Sequence, residues 1–458
     1  MAKTRTVFRC ESCGAVHPQW AGQCANCEQW NTLIEEFDRP KTSAASSAAY
    51  SGPSGTAVPL ISIDSRGATA RSTGISEFDR VLGGGLVAGS VTLLGGEPGV
   101  GKSTLTLQLL GAIAGSARRG LLVSAEESPQ QVQLRAGRLG ARRDGVWIVA
   151  ETAMPAILAA VADVQPDLLV IDSIQTVFDP EIGSSPGSVT QVRECAHALV
   201  LAAKASGVAT ILVGHVTKEG SLAGPRVLEH VVDTVLSFEG DRHHALRLLR
   251  ASKHRFGPTG ELGLFEMRDE GLIALEDPAE LLLGDRRPDL AGSCVVPITE
   301  GKRTLLVEVQ ALVSDTKAPM PRRSAQGLDN GRLAVLLAVL EKRAGFRFFE
   351  QDVYTSAVGG VRVNEPAGDL GVAMAVASAS SGIPIPPNIV ACGEVGLGGE
   401  VRRVSQMERR LAEAVRLGFT QAVVPAATPE VPGLSLLRVK DVMEAVRPYR
   451  PRPSDSSG

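Results

Sequence analysis

The chain has 458 residues, of which 44% are hydrophobic and 21% charged, a balance typical of folded proteins with several domains. A formal net charge of −3 excludes a globally basic protein, so any surface that binds a polyanion must be a local patch. No apolar run has the length of a bilayer span, and the first residues lack the apolar core of a signal peptide. These features predict a cytoplasmic protein without a membrane partner.

Four of the seven cysteines lie near the N-terminus as two C-x-x-C pairs. The pairs are Cys10 with Cys13 and Cys24 with Cys27. Two such knuckles place four thiolates around one ion, and a cytoplasmic chain disfavours the alternative of paired disulfides. We therefore predict a zinc ribbon over residues 1–38 with a closed, structural Zn²⁺ site. Trp20 and Trp30 are expected to pack around it.

Two stretches have the composition of chain without a core. Residues 39–58 are rich in Ser, Ala, Gly and Pro, which predicts a flexible linker. Residues 449–458 predict a disordered tail. Between them, apolar strand-like runs alternate with helical patterns over residues 59–285 and again over 290–448, so we predict two α/β domains.

Residues 96–104 have the spacing G-x-x-x-x-G-K-[ST] of a phosphate-binding loop, between a predicted strand at 91–94 and a predicted helix at 105–113. Glycines let backbone N–H groups close around phosphate oxygens, and the helix N-terminus adds positive potential. Lys102 is expected to reach the β- and γ-phosphates of ATP, and Ser103 to ligate Mg²⁺. The residues predicted to bind the nucleotide are Gly96, Glu97, Pro98, Gly99, Val100, Gly101, Lys102, Ser103 and Thr104.

Further apolar runs predict parallel strands of the same sheet, and polar residues follow three of them. Ligands bind at the carboxyl ends of such strands. Asp172 has the form of an aspartate that holds Mg²⁺, with a helix cap as the alternative. Glu126 is placed to activate the attacking water, and its neighbour Glu127 remains open for that role. His215 is either a sensor of the γ-phosphate or a structural residue.

The segments STGISEFD (72–79) and LGGGL (82–86), followed by the phosphate-binding loop, resemble the RecA-type ATPase core. With the four-cysteine ribbon and the pentapeptide KHRFG (253–257), essentially the whole chain is similar to the bacterial RadA/Sms family of DNA repair and recombination proteins. The resemblance implies a RecA-like P-loop NTPase core that uses ATP and Mg²⁺ and acts on DNA. His254 stands where the family has Asn, and an imidazole is not expected to reproduce the paired donor and acceptor of an amide.

The resemblance also implies that ATP binds between subunits of a ring. Lys253 and Arg255, at the end of a predicted strand 245–251, are then catalytic fingers for a neighbour's γ-phosphate or contacts to DNA. A solvated basic turn is the alternative for this segment. The Gly/Ser/Pro-rich stretches 179–190 and 217–226 match loops that hold single-stranded DNA, with mobile surface loops as the alternative.

Residues 290–448 resemble the Lon protease domain, with predicted strands at 295–298 and 304–309 and a predicted helix at 329–343. Ala367 or its neighbour stands where Lon has its serine nucleophile, and Glu408 stands where Lon has its lysine base. Catalysis needs both groups, so we predict no peptidase activity and a scaffold of a hexameric ring. Four arginines are predicted to form a solvated helix face or to contact DNA: Arg402, Arg403, Arg409 and Arg410.

The residues and the resemblance together predict a DNA-dependent ATPase of recombinational repair. It would be a homo-hexameric motor of the branch-migration helicase type, acting on single-stranded DNA and branched recombination intermediates beside a RecA-type recombinase. Two alternatives share the ATPase core: a KaiC-like signalling ATPase, and an ATP-binding scaffold that does not act on DNA. Stimulation of hydrolysis by DNA distinguishes the first hypothesis from both.

Overall fold

The computed structural model describes residues 5–10, 13, 15–30, 32–38, 59, 61, 69–215, 227–240, 244–287 and 289–450. The chain divides into two compact units, Met1–Leu275 and Glu276–Gly458. The predicted linker 39–58, the predicted loop 217–226 and residues 451–458 of the predicted tail lie outside the described residues. Within the described ranges, no helix combines the length and the apolar content needed to cross a membrane.

A small antiparallel sheet begins the first unit. Its strands are Arg5–Cys10 (β1), Val16–His17 (β2) and Leu33–Asp38 (β3), with β1 in the middle. The buried side chains here are Cys10, Cys24 and Leu33. Trp20 is 59% exposed and Trp30 is 69% exposed, so the expectation that both indoles pack around this sheet is wrong. A core of two thiol side chains and one leucine is too small to cover an indole.

The second sheet of this unit has nine strands. They are Val91–Gly96 (β4), Gly120–Ser124 (β5), Val146–Val149 (β6), Leu168–Asp172 (β7), Ala209–His215 (β8), Thr234–Glu239 (β9), Leu246–His254 (β10), Leu262–Arg268 (β11) and Gly271–Ala274 (β12). Their order is β12-β11-β10-β9-β4-β8-β7-β5-β6. The six strands from β9 to β6 in this order are parallel, and β10, β11 and β12 extend the sheet antiparallel. The parallel α/β sheet predicted from the apolar runs is thus confirmed.

Helices cover both faces of the nine-stranded sheet. They are Ser76–Val81 (α1), Lys102–Ala114 (α2), Pro129–Arg138 (α3), Met154–Val164 (α4), Val189–Ser206 (α5) and Val227–Val231 (α6). Neighbouring residues of β4 point to opposite faces: Leu94 packs in the cluster that contains Leu105 of α2, and Leu93 packs in the cluster that contains Leu199 of α5. Burial on both faces explains why the parallel strands are continuous apolar runs rather than alternating ones.

The second unit contains a mixed sheet of seven strands and a short hairpin. The sheet strands are Ser293–Glu300 (β13), Arg303–Asp315 (β14), Arg323–Gln326 (β15), Gln351–Ala357 (β16), Ile389–Ala391 (β17), Gln421–Pro425 (β20) and Ser435–Val439 (β21), and the hairpin is Glu394–Val395 (β18) with Val401–Arg402 (β19). The order in the sheet is β15-β16-β14-β13-β17-β20-β21. The predicted strands 295–298 and 304–309 therefore lie within β13 and β14.

The helices of the second unit are Ala279–Leu283 (α7), Asn330–Val339 (α8), Asp369–Ser381 (α9), Met407–Arg416 (α10) and Val442–Val446 (α11). The predicted helix at 329–343 is α8 continued by a π-helical turn, and Asp329 caps it by accepting a hydrogen bond from the Arg332 backbone N–H. Leu282 of α7 is buried, which explains why this unit begins before residue 290. Tyr449, which the composition assigns to the tail, is also buried in a short helical turn.

Candidate nucleotide site and metal centre

The phosphate-binding loop joins β4 to α2 in a conformation that requires glycine. Gly99 and Gly101 have positive φ angles of 82° and 115°. A Cβ atom on Gly101 would lie 2.6 Å from the Met267 side chain, and one on Gly96 would lie 2.4 Å from the Phe238 carbonyl oxygen. These close approaches leave room for backbone only, as a cradle of N–H groups for phosphate requires. The loop residues therefore fit the polyphosphate of a nucleotide.

Lys102 is the first residue of α2 and is only 5% exposed. Its Nζ donates hydrogen bonds to the carbonyl oxygens of Gly96, at 2.7 Å, and Glu97, at 3.0 Å. Burial lowers the pKa of the Lys102 ammonium, while the charges of Asp172 and Glu126 oppose that shift. The cation thus lies inside the loop, held by neutral carbonyl groups that phosphate oxygens can replace.

Three further site residues predicted from the sequence meet beside the loop. Ser103, Glu126 and Asp172 line one cavity of about 30 Å³ at the carboxyl edge of the sheet. The Ser173 hydroxyl, which sequence reasoning did not single out, donates a 2.5 Å hydrogen bond to Glu126 Oε1. A serine hydroxyl and carboxylate oxygens are ligands that Mg²⁺ prefers, so this donor set fits the ion. Mg²⁺ bound here would neutralise negative charge on the phosphates.

The structure separates the two adjacent glutamates that the sequence left as alternatives. Glu127 forms an ion pair with Arg135 of α3, and its backbone carbonyl accepts a hydrogen bond from Ser124. Both glutamates line the cavity, but Glu126 accepts the Ser173 hydroxyl there. The arginine partner of Glu127 occupies that carboxylate within its own chain. Glu126 is therefore the better candidate for orienting or deprotonating water.

Lys253 and Arg255 of the KHRFG segment bind the same short stretch of their own chain. Lys253 Nζ donates to the carbonyl oxygens of Glu229, at 2.6 Å, and Val232, at 2.7 Å. Arg255 forms a 2.9 Å ion pair with Asp233, and its side chain is 49% exposed. Burial and then the nearby Arg255 charge lower the pKa of Lys253. The two cations are thus close together.

His254 provides the donor and the acceptor that were not expected of it. Its Nε2 lies 3.2 Å from the Leu82 carbonyl oxygen, and its Nδ1 lies 3.0 Å from the Thr234 hydroxyl. A carbonyl only accepts, so we assign the proton to Nε2, which leaves Nδ1 to accept from Thr234. Burial lowers the pKa of His254, which favours this neutral form. The two ring nitrogens thus provide one donor and one acceptor to separate partners, and the effect of His in place of Asn stays a prediction.

The KHRFG segment and the phosphate-binding loop lie at opposite ends of the neighbouring strands β10, β9 and β4. His254 pairs with Thr234 of β9, and Thr234 pairs with Thr92 of β4. Thr92 is four residues before Gly96, a separation of about 13 Å along a strand. Lys253 and Arg255 are therefore directed away from the loop of their own chain.

Two other sequence candidates are at the loop edge or near it. His215 ends β8, and its backbone is in register with Gly96. The stretch 179–190 is not a loosely held loop, because the buried amide of Gln191 bonds the backbone of Asp179, Ile182 and Ser184. These hydrogen bonds restrain the backbone of the stretch. Its contact with DNA stays a prediction.

Two residues that sequence reasoning missed hold this architecture. Asp233 accepts the backbone N–H of Val91 at 3.1 Å as well as the Arg255 guanidinium. Arg247, 4% exposed on β10, donates from Nε to the Val100 carbonyl oxygen at 2.9 Å. Polar residues within apolar strand runs were the available signal, but Val91 lies 142 positions from Asp233 and Val100 lies 147 positions from Arg247.

The four N-terminal cysteines converge as their spacing predicts. The Sγ atoms of Cys10, Cys13, Cys24 and Cys27 all lie within 4.8 Å of one another. The Cys10–Cys27 and Cys13–Cys24 distances are 3.5 and 3.6 Å. A tetrahedral Zn²⁺ with bonds of about 2.3 Å needs sulfur atoms about 3.8 Å apart, so the cluster fits a closed structural site. Four protein ligands leave no position for substrate.

In the second unit, one predicted surface arginine is buried instead. Arg410 is 0% exposed and binds both carboxylate oxygens of Glu365, at 2.5 and 2.6 Å. It also donates to the Pro297 carbonyl, the Thr299 hydroxyl and the Ser405 carbonyl. Both expectations for Arg410, a solvated helix face and a DNA contact, are therefore wrong. The helix α10 turns this residue toward β13, where a charge requires full hydrogen bonding.

Two further residues singled out in this unit from the sequence, Ala367 and Arg402, differ in their surroundings. Ala367 is 1% exposed in an apolar cluster with Met407 and Leu411. Arg402 is exposed and forms ion pairs with Glu394 and Glu400. The absence of peptidase activity remains a prediction that rests on the missing hydroxyl and lysine.

Comparisons with known proteins agree with these two sites. The family model of the AAA domain matches residues 68–221, which include the phosphate-binding loop, Glu126 and Asp172. The family model of the rubredoxin metal binding domain matches residues 8–35, which include the four cysteines.

Similarity to whole proteins extends over both units. The chain is 47% identical to DNA repair protein RadA of Bacillus subtilis over 98% of this chain and 99% of the relative. It is 48% identical to DNA repair protein RadA of Brucella abortus, covering 94% of each chain. For DNA repair protein RadA of Pseudomonas aeruginosa the identity is 47%, over 97% of this chain and 99% of the relative. With its P-loop sheet, its four-cysteine ribbon and this near full-length identity, the chain belongs to the family of DNA repair proteins RadA.

Proposed function

We propose that this protein is a DNA-dependent ATPase that works as a hexameric motor. It would extend heteroduplex by branch migration, on single-stranded DNA and branched recombination intermediates, with a RecA-type recombinase as partner. The names of its relatives support a role in DNA repair. The loop, Lys102 and the cavity beside it support ATP as the nucleotide that is bound and hydrolysed. A motor on chromosomal DNA would act in the cytoplasm.

Each residue at the carboxyl edge has a distinct role in this proposal. The backbone of residues 96–104 binds the phosphates, and Lys102 exchanges its carbonyl partners for phosphate oxygens. Ser103 and Asp172 hold Mg²⁺. Glu126 orients the attacking water and accepts its proton. The zinc ribbon of residues 1–38 contacts the recombinase or DNA. The unit after residue 275 assembles the ring.

One observation supports the proposal that the active form is an assembly of subunits. The KHRFG segment lies at the end of the strands opposite to the phosphate-binding loop. Lys253 is in register with Leu93, about 10 Å along the strand from Gly96, and Arg255 lies farther along the same direction. In a ring of identical subunits, the KHRFG segment of one copy would lie next to the nucleotide of the neighbouring copy. Cations supplied in this way stabilise transition-state charge and make hydrolysis depend on assembly.

Mixing two inactive variants tests this arrangement. Lys102→Ala removes the loop cation. Arg255→Ala removes the finger and leaves the buried Asp233 with the Val91 backbone N–H as a partner, so its unfolding temperature is measured beside its activity. If the finger acts on a neighbour, co-assembly recreates intact sites at roughly one interface in four, and ATP hydrolysis returns. A mixture of wild type with Lys102→Ala controls for subunit exchange. A mixture that exchanges subunits yet stays inactive would contradict action between subunits.

The DNA assignment is tested by steady-state ATP hydrolysis with and without single-stranded DNA at two salt concentrations. Phosphate contacts release counterions, so stimulation that weakens as salt rises is the expected result. A rate that DNA does not change would favour the KaiC-like signalling ATPase. Binding of ATP without turnover, with the same result for Glu126→Gln, would favour the scaffold.

A further inference from the structure

We propose that Arg247 is a positioning residue that holds the phosphate-binding loop from behind. The inference rests on the proposed ATP site and adds a residue that lies outside the P-loop motif. Arg247 is the second residue of the strand β10 and is 4% exposed. Its Nε donates to the Val100 carbonyl oxygen at 2.9 Å, inside the loop. A second guanidinium nitrogen donates to the carbonyl oxygens of His244 and Leu246.

The geometry of the peptide bond links this contact to phosphate binding. The peptide group between Val100 and Gly101 is planar and trans, so its carbonyl oxygen and its N–H point in opposite directions. By drawing the Val100 carbonyl toward β10, Arg247 directs the Gly101 N–H to the other side of the loop. That side faces the cradle, where N–H groups must point at phosphate oxygens and carbonyl oxygens must be turned away.

The residues around Gly101 allow little choice of another conformation. Gly101 has a φ of 115°, which glycine adopts without strain and other residues rarely do. A Cβ atom on Gly101 would lie 2.6 Å from the Met267 side chain of β11, which would have to shift, and 3.5 Å from the Phe238 ring of β9. Glycine, however, tolerates many backbone orientations, so packing alone does not select which way the peptide group points. A charged donor on its carbonyl does select it, because such hydrogen bonds are stronger than neutral ones.

The two cations at this loop therefore act on different carbonyl groups. Lys102 binds the carbonyl oxygens of Gly96 and Glu97 and leaves them for phosphate. Arg247 binds Val100 and keeps that bond in the occupied state. Preorganisation of this kind raises nucleotide affinity, because binding no longer has to order the loop.

The test uses the full-length variants Arg247→Met and Arg247→Lys, with Arg250→Met as the matched control on the opposite face of β10. The readouts are the Kd of a fluorescent ADP analogue, KM and kcat for ATP, and the unfolding temperature without nucleotide. We expect Arg247→Met to weaken ADP binding roughly tenfold or more, from the loss of one charge-assisted hydrogen bond. Arg247→Lys keeps a donor and should recover part of the affinity. Arg250→Met should bind like wild type, since Arg250 faces Glu239.

The expected pattern is a rise in KM larger than the fall in kcat, together with rescue by lysine. A merely structural role would lower the unfolding temperature of both Arg247 variants while their Kd and KM equal those of wild type, and this would overturn the inference. If Arg247→Met does not fold, the comparison of Arg247→Lys with Arg250→Met decides in the same way. Wild-type protein that fails to bind the ADP analogue would instead refute the proposed ATP site itself.

Discussion

Lys102 in the first unit and Arg410 in the second are both buried cations, but their partners differ in kind. Lys102 bonds two neutral carbonyl groups of its own loop. Arg410 places its donors on a carboxylate, a hydroxyl and two carbonyl groups, so its hydrogen-bonding capacity is used. A cation that must receive an anionic ligand keeps partners that the ligand can replace. A cation that only holds the fold is neutralised by an acid within the fold.

The carboxylates follow the same division. Glu126 and Asp172 line a cavity beside the loop, and Ser173 donates a hydroxyl to Glu126. Glu365 is bound on both oxygens by Arg410 and also accepts the Thr299 backbone N–H. The first arrangement offers carboxylate oxygens at a cavity that would suit Mg²⁺, and the second uses its carboxylate in contacts within the fold. The charged groups of the two units thus differ in place: one set lines a cavity beside the loop, and the other links strands to a helix.

The largest effect is expected from Lys102→Ala. Loss of the cation should lower ATP turnover roughly 10³-fold or more, because both phosphate binding and charge stabilisation are removed. Stability should change little, since the lysine makes hydrogen bonds only to two carbonyl groups of a loop among the contacts described here. The measurements are kcat and the free energy of unfolding. Near-normal turnover would remove Lys102 from the site.

Glu126→Gln should come next, with a fall in kcat of about a hundredfold and little change in nucleotide affinity, because the amide cannot accept the proton of water. The matched control is Glu127→Gln, which loses the ion pair with Arg135 and should keep most of its activity. Steady-state hydrolysis at saturating ATP measures the kcat of both variants. Equal losses in the two variants would contradict the division of roles.

Arg410→Met should destabilise the second unit by about 3 kcal/mol or more, because it leaves Glu365 without its partner. Adding Glu365→Gln to this variant should restore part of the loss, since the unpaired charge is then removed. Chemical denaturation of the full chain measures both. A loss below about 1 kcal/mol would be the behaviour of a surface pair and would place Arg410 in solvent.

The smallest effect concerns His254, whose pKa burial lowers. As pH falls through the ordinary histidine pKa of about 6.5, the unfolded chain takes up a proton that the folded chain resists. Unfolding is then favoured, so stability of the first unit decreases toward acid and is fully present above that pH. His254→Asn should remove this part of the dependence. Lys253, Arg255 and Asp233 flank the position in both proteins, so the difference between the two pH profiles isolates the imidazole.

The unfolding free energies of wild type and His254→Asn at pH 8 and pH 5.5 provide the measurement. Identical slopes would mean that His254 has the same pKa in the folded and unfolded chains, which would contradict the lowered pKa.

Some of this molecule follows from short stretches of sequence. The phosphate-binding loop and the cysteine knuckles are contiguous patterns in which chemistry dictates spacing, and both assemble as predicted. The central strands were visible as apolar runs because burial on both faces leaves no polar alternation. In each case the information lies within a few residues of where it acts.

Other features depend on partners that are remote along the chain. Arg410 could be assigned to a helix but not to an interior, because its acid and its carbonyl partners lie on other elements. Glu126 and Glu127 are equivalent as sequence, and the distinction comes from Arg135 and Ser173. The same holds for Arg247, whose partner Val100 is 147 positions away. Sequence pattern reports local geometry and burial, whereas the pairing of charges and carbonyl groups is decided when distant strands come into register.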